Sequence, residues 1–311
     1  MKPTAKPAPA GPSVLLPASS GASPAAGRGP LHGEGSALLR AVGGFRTLPA
    51  SLRWGLPLLG VLLLAALCAP WVAPHDPLAN AVVRRLQGPS AAHWLGTDAT
   101  GRDVLSRLIW GARESIRGVA IAVAVAAALS IPWGLAAGYL GRFWDEALMR
   151  LTDAMLSFPG LILALAIGGV LGPSLTNAMI AMGIVYAPSC ARLLRGAVLP
   201  LRQADFVLVA RSLGASPLTV AVRHVLPNAM APLLVQLCSI ASLALLAEGA
   251  LSFLGLGTQP PTPSWGSDLA KAYLHFSSAP LLTIAPGLTI AAFAFLLSQL
   301  GNGMREWLRT G

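Results

Sequence analysis

The sequence predicts an all-α integral membrane protein with six transmembrane helices. Composition and charge placement carry that prediction. Hydrophobic residues make up 54% of the 311 residues and charged residues only 11%, against about 25% charged in a soluble domain. The charges also fall between long apolar runs and not within them. A spanning helix needs roughly 20 apolar residues, and the chain offers such runs repeatedly.

Residues 1–50 are rich in Pro, Ala, Gly and Ser and show no apolar period, so they are expected to form a disordered tail. The first charge-free run, 54–74, begins only after Arg53. It does not follow the short basic start of a cleaved leader and is read as an uncleaved span. The second run is 118–141. The third, 154–191, is long enough for two spans and is interrupted by Gly172-Pro173-Ser174. Gly-Pro breaks a helix, so two short spans joined by a tight turn are expected there. Runs at 225–247 and 276–304 complete the six. The expected partition is a tail (1–50), a first helix with its following segment (51–112), a membrane domain (113–304) and a short end (305–311).

The net charge is +10, from 22 Lys and Arg against 12 Asp and Glu. Nucleic-acid binding does not follow, because the basic residues sit between apolar runs and form no single stripe. They orient the chain instead. With the amino terminus in the cytoplasm, 15 basic residues fall on that side and 7 on the other. That bias predicts an inner-membrane, multi-pass protein with both termini cytoplasmic. Trp54, Trp71, Trp133 and Trp144 lie near the predicted interfaces, as an aromatic belt would.

Catalytic chemistry is not expected. Lys2, Lys6 and Lys271 are the only lysines and none follows a glycine, so a Gly-Lys-Ser/Thr phosphate loop is impossible and ATP hydrolysis by that route is excluded. His32, His75, His93, His224 and His275 lack metalloprotease spacing, and no Gly-x-Ser-x-Gly elbow occurs. Cys68, Cys190 and Cys238 lie in apolar segments without metal-ligand spacing and read as small buried hydrophobes. No cofactor and no metal is expected.

The most informative segment lies between the fourth and fifth runs. Residues 205–213 carry a helical pattern. Gly214 suits a left-handed helix end, Ser216 the next N-cap and Pro217 a first helical position. The second helix is expected to place Leu218, Val222, Val225 and Leu226 on one face and to stop at Pro227. A helix, a glycine hinge and a short amphipathic helix result.

This segment resembles the cytoplasmic docking motif of binding-protein-dependent ABC importer permeases, Glu-Ala-Ala followed by Gly and later Leu-Pro. Ala210, Gly214, Leu226 and Pro227 match. Leu208 stands where the family carries Glu, and Val209 where it carries Ala, so a charge-assisted contact is absent here. Further matches are specific to the dipeptide, oligopeptide and nickel permease group. They are His93-Trp94-Leu95-Gly96-Thr97-Asp98, Gly101-Arg102-Asp103 through Arg107, Gly111-Ala112-Arg113, Glu248 through Gly257, Pro263-Ser264-Trp265-Gly266, and Leu300-Gly301-Asn302-Gly303-Met304-Arg305. Asn302 replaces the usual Asp.

The resemblance covers about 50–306. It implies a type I importer permease fold and the second of two paired permease subunits. A homologous permease subunit would be the partner in a heterodimer. Two cytoplasmic ATP-binding subunits would dock at 205–227 through Ala210, Arg211, Gly214, Ala215, Leu226 and Pro227. An extracytoplasmic solute-binding protein would deliver peptides, nickel or other small solutes to the 74–113 and 254–280 loops.

Intramembrane polar groups are few. Glu248, late in the fifth span, is a candidate for the translocation path, because a carboxylate in a span usually faces a cavity or a partner. Asn177, Gln236 and Gln299 read as helix–helix glue. The alternative function is an ATP-independent secondary transporter or channel, which requires ion-coupling carboxylates or pore charges deep in the spans.

Overall fold

The protein is described here from a computed structural model. The structure describes residues 48–310. Most of the predicted tail, residues 1–47, lies outside them.

Eleven α-helices follow one another, with no strand among the described residues. They are α1 (Ala50–Leu67), α2 (Ala69–Val72), α3 (Val104–Tyr139), α4 (Arg142–Leu156), α5 (Gly160–Leu171), α6 (Leu175–Leu201), α7 (Asp205–Ser212), α8 (Pro217–Val220), α9 (Leu226–Phe253), α10 (Trp265–Tyr273) and α11 (Pro280–Thr310). Five helices are long and apolar enough to cross a membrane. They are α1, α3, α6, the run from α8 through α9, and α11. A sixth crossing is possible only through α4 and α5 together, which are bent by 93° at their break.

The break corrects the third predicted span. It is expected to start near residue 154, yet α5 begins at Gly160 and has 12 residues. At 1.5 Å per residue it reaches roughly 18 Å, short of the ~30 Å hydrocarbon core. Pro159 is the cause: it has no N–H to continue α4, and it disfavours helical backbone at Phe158. The break at Gly172-Pro173-Ser174 lies where the sequence predicts it. Ser174 accepts the Asn177 N–H as N-cap, and the Asn177 amide donates to the carbonyls of Leu171 (2.7 Å) and Gly172 (3.1 Å). The Asn177 amide therefore joins the start of α6 to the end of α5 across the chain break.

Charge-free runs also underestimate helix length. α3 starts at Val104, well before residue 118, because the Asp103 carboxylate caps it by accepting from the Ser106 N–H. With 36 residues it extends about 54 Å, well beyond the membrane core. The expected boundaries at 112/113 and 304/305 fall inside α3 and α11, where the helices run without interruption.

α3 and α6 form the centre of the bundle. They approach closely because small residues face each other. A Cβ on Gly134 would lie 2.6 Å from the Ala191 carbonyl oxygen, and one on Gly183 would lie 2.6 Å from Val125 Cβ. α1 lies against α11, with Leu52 in the same buried cluster as Leu296 and Leu300. Trp54, Leu58, Val61 and Leu64 point outward, as side chains in lipid do.

The ends of the bundle are distinct. Gly303 near the end of α11 adjoins Ser51 and Leu52 at the start of α1. Arg305 and Arg309 line a pocket with Pro232 of α9. The start of α1, the end of α11 and the 202–216 turn therefore share one end, called here the hairpin end. Residues 75–103 and α10 occupy the far end.

Candidate functional site

The hairpin that joins α6 to α9 is built by three local devices. α7 closes in a Schellman motif: the Gly214 N–H donates to the Arg211 carbonyl (2.9 Å) and the Ala215 N–H to the Ala210 carbonyl (3.1 Å). Gly214 supplies the left-handed residue this requires, at φ +84°. Ser216 then caps α8, accepting from the Thr219 N–H (3.2 Å), with Pro217 following at the first helical position.

The third device corrects an expectation. Pro227 does not stop the second helix. Residues 221–225 form a π-helical turn, in which the Leu226 N–H donates to the Ala221 carbonyl, five residues back. The wider turn absorbs the missing donor and the ring of Pro227, which otherwise cost about 3 kcal/mol in a helix interior. The chain from Pro217 to Phe253 is therefore one continuous helical rod. The hairpin is the rigid foot of a span and not a separate surface helix.

The predicted apolar face is also divided. Leu218 and Val222 are exposed, Leu226 is half-buried and only Val225 is fully buried. Val207 and Val220 join it inside, packed with Leu194 and Val198 of α6 and Tyr139 of α3. Burying each valine contributes roughly 1.5–3 kcal/mol, which fixes the hairpin to the bundle. Phe206, Leu208, Val209, Leu213 and Leu218 remain outside, with Leu213 82% and Leu218 74% exposed. These exposed apolar side chains are candidates for an interaction surface.

The structure brings Ala210, Arg211, Gly214 and Ala215 together in the turn. Ala210 and Ala215 are half-buried against the core, while Gly214 is exposed. Leu226 and exposed Pro227 stand apart, along the rod. Leu226 lines an apolar groove with Tyr139, Leu218 and Val222.

Three contacts have no signal in the sequence. The Arg211 guanidinium lies 5.3 Å from the centre of the Tyr139 ring, joining the turn to the end of α3. Arg195 of α6 holds the Asp145 carboxylate of α4 with two nitrogens, one at 2.6 Å. Arg192 pairs with Asp153 one turn away. These pairs join residues 50 and 39 apart in sequence, so no local spacing announces them. α4 is thereby clamped along the lower half of α6, just above the hairpin.

Glu248 lies at the other end of the rod, about 33 Å from Leu226 at 1.5 Å per residue. It does not face an open path: it is 1% exposed. Its carboxylate oxygens are enclosed without a hydrogen bond of standard geometry, and Ser115 of α3, Ser264 and the Gly266 N–H surround them. The group faces the first turn of α10, whose partial positive charge suits a carboxylate. Trp265 fixes α10 there, its N–H donating to Ser115 Oγ (3.2 Å) and its indole N–H to the Leu108 carbonyl (2.8 Å).

Comparison with known proteins identifies the architecture. Residues 130–310 match the family described as binding-protein-dependent transport system inner membrane component. This chain belongs to that family. The permease is 43% identical over 259 residues to a putative peptide transport system permease protein of Brucella suis biovar 1, covering 83% of this chain and 87% of the relative. It is 40% identical to the dipeptide transport system permease protein DppC of Alkalihalophilus pseudofirmus, covering 82% and 84%. To the glutathione transport system permease protein GsiD of Escherichia coli it is 39% identical, covering 80% and 82%. Its fold is similar to a chain of the MetNI methionine ABC transporter in an inward-facing conformation, with TM-score 0.53, 16% identity, and coverage of 65% of this chain and 95% of that one. The permease thus has the type I importer fold predicted above and is the transport subunit of an ABC importer. The family match includes the whole hairpin and Glu248.

Proposed function

We propose that this permease carries short peptides across the inner membrane as one half of a heterodimer with a homologous permease subunit. Two cytoplasmic ATP-binding subunits dock on the hairpin, an extracytoplasmic binding protein delivers solute to the far end, and both termini face the cytoplasm. The observation that carries the reading is the hairpin itself: an exposed apolar patch at Leu208, Leu213 and Leu218, set on a turn whose other face is anchored by Val207, Val220 and Val225. A force applied there passes into the continuous rod that ends at Phe253. Docking must favour one of two bundle states for ATP to drive transport. The relatives named for peptide, dipeptide and glutathione transport support a short peptide as solute.

Because Leu208 presents an apolar side chain to solvent, docking rests on apolar fit rather than on a carboxylate contact. The test is a single cysteine at Leu213 in the intact transporter. Cytoplasm-side labelling and ATP-dependent disulfide crosslinking to an ATP-binding subunit are expected. Labelling from the outside, or peptide uptake that persists after ATP depletion, overturns the reading.

A further inference from the structure

At the far end, residues 73–103 lead into α3 with no helix beyond a single 3-10 turn at Val82–Arg84. No leucine, valine or tryptophan of this segment is buried. Small units without an apolar core are commonly stapled by disulfides or metal ions, and no cysteine falls in this one.

Three metal-ligating side chains, remote along the chain, meet there: His75, His93 and Asp103. One donor atom from each lies within 4.8 Å of the other two. His93 Nδ1 is 2.9 Å from Asp103 Oδ1, and His75 Nδ1 is 3.8 Å from Asp103 Oδ2. Two donors held tetrahedrally on one zinc ion at ~2.0–2.1 Å lie ~3.3 Å apart, between these two distances. Two imidazoles bound through Nδ1 in that geometry have ring centres ~5 Å apart. Those of His75 and His93 are 4.7 Å apart. The carboxylate is already oriented. Asp103 Oδ2 accepts the Ser106 N–H (2.8 Å) and hydroxyl (2.7 Å), and Ser106 Oγ accepts the His75 N–H (3.0 Å). Outer hydrogen bonds of this kind fix metal ligands in place. Oδ1 has His93 as its one hydrogen-bond partner among the described residues.

A hydrogen bond between His93 and Asp103 accounts for those two residues but not for His75. The His75 ring makes no hydrogen bond among the described residues, yet it packs on His93 with its Nδ1 turned to Asp103. Its side chain is 41% exposed, so the set opens to solvent on that side while His93 and Asp103 are buried. We propose that His75, His93 and Asp103 bind a zinc ion, with water as the fourth ligand. Two imidazoles and a carboxylate suit zinc, whereas magnesium and calcium take oxygen ligands. His93 Nε2 is enclosed without a partner. Moving the ring proton from Nδ1 to Nε2 therefore gives up only the bond to Asp103, which the ion replaces. The ion ties residues 75 and 93 to the start of α3. The site needs neither solute nor ATP and stands apart from the transport reading above.

The test uses the full-length permease, purified in detergent without a polyhistidine tag and stripped with a chelator. Calorimetric titration with zinc chloride at neutral pH is expected to show one site per chain, of micromolar affinity or better, that excess magnesium chloride does not displace. His75→Ala should weaken zinc at least about tenfold, since even loss of a group that only orients a ligand costs that much. His75→Cys returns a zinc ligand and should restore most of the affinity. The exposed position of His75, and its backbone bond to Ser106, leave the fold intact in both variants. Asp103→Asn keeps a good helix N-cap but loses the carboxylate, and it should weaken zinc by a similar factor. Absence of the site, displacement by magnesium, or unchanged affinity in either His75→Ala or Asp103→Asn overturns the proposal.

Discussion

Arg211 lies with its guanidinium 5.3 Å from the centre of the Tyr139 ring, so the turn of the hairpin rests on the last residue of α3. The Tyr139 hydroxyl is buried without a hydrogen-bond partner, which leaves the ring face as the working part. Tyr139→Phe should therefore preserve peptide uptake and hydrogen-exchange protection at 207–220. Tyr139→Leu removes the cation–π contact, about 0.5–2 kcal/mol, and protection there should fall several-fold by exchange mass spectrometry.

Gly214 should tolerate substitution by backbone preference and not by size. A Cβ there meets no atom within 4 Å, yet φ is +84°. Gly214→Val should abolish uptake while leaving membrane insertion intact, because a β-branched residue is a strained occupant of left-handed backbone. Gly214→Asn should retain most of it, since Asn visits that region readily. Uptake assays with membrane-fraction immunoblots decide this.

The Asp145–Arg195 pair should behave as a unit. Both side chains are less than a third exposed, at 23% and 29%. Reversing either charge alone should lower the thermal unfolding midpoint, and reversing both should recover part of the loss. The coupling expected for contacting residues is about 0.5–3 kcal/mol. Strict additivity of the two changes would show that α4 is not clamped through this pair.

Acid should loosen the far-end loop only below the ordinary carboxylate range. Burial alone would raise the Asp103 carboxyl, but the Ser106 hydroxyl and N–H, and then His93, hold it below its usual 3.8. A carboxyl depressed in the folded state contributes stability that is complete above the unfolded value and is lost as pH falls through the folded one. Proteolytic resistance of the 75–103 segment should thus be flat from pH 7 to about 4.5 and fall at lower pH. Asp103→Ala should lower it at every pH, since loss of an N-cap costs about 1 kcal/mol.

Much of this molecule is legible along the chain because lipid imposes a one-dimensional rule. Helices must satisfy their own backbone, so apolar runs announce spans, and the chemistry of Gly172-Pro173, Gly214, Ser216 and Pro217 announces where helices end. The motifs around the hairpin and at 248–257 announce the family for the same reason, being local strings. What stayed hidden depends on neighbours in space. Pro227 reads as a stop because a proline lacks its donor, and only the π turn at 221–225 shows where that deficit goes. Glu248 reads as a path candidate because a carboxylate in a span is costly, and only the packing of Ser115 and α10 around it shows that it is enclosed within this chain. The Arg195–Asp145 clamp joins charges on different helices. Whether a charge is matched depends on distances of a few ångströms between segments remote in sequence, and these are decided by packing alone.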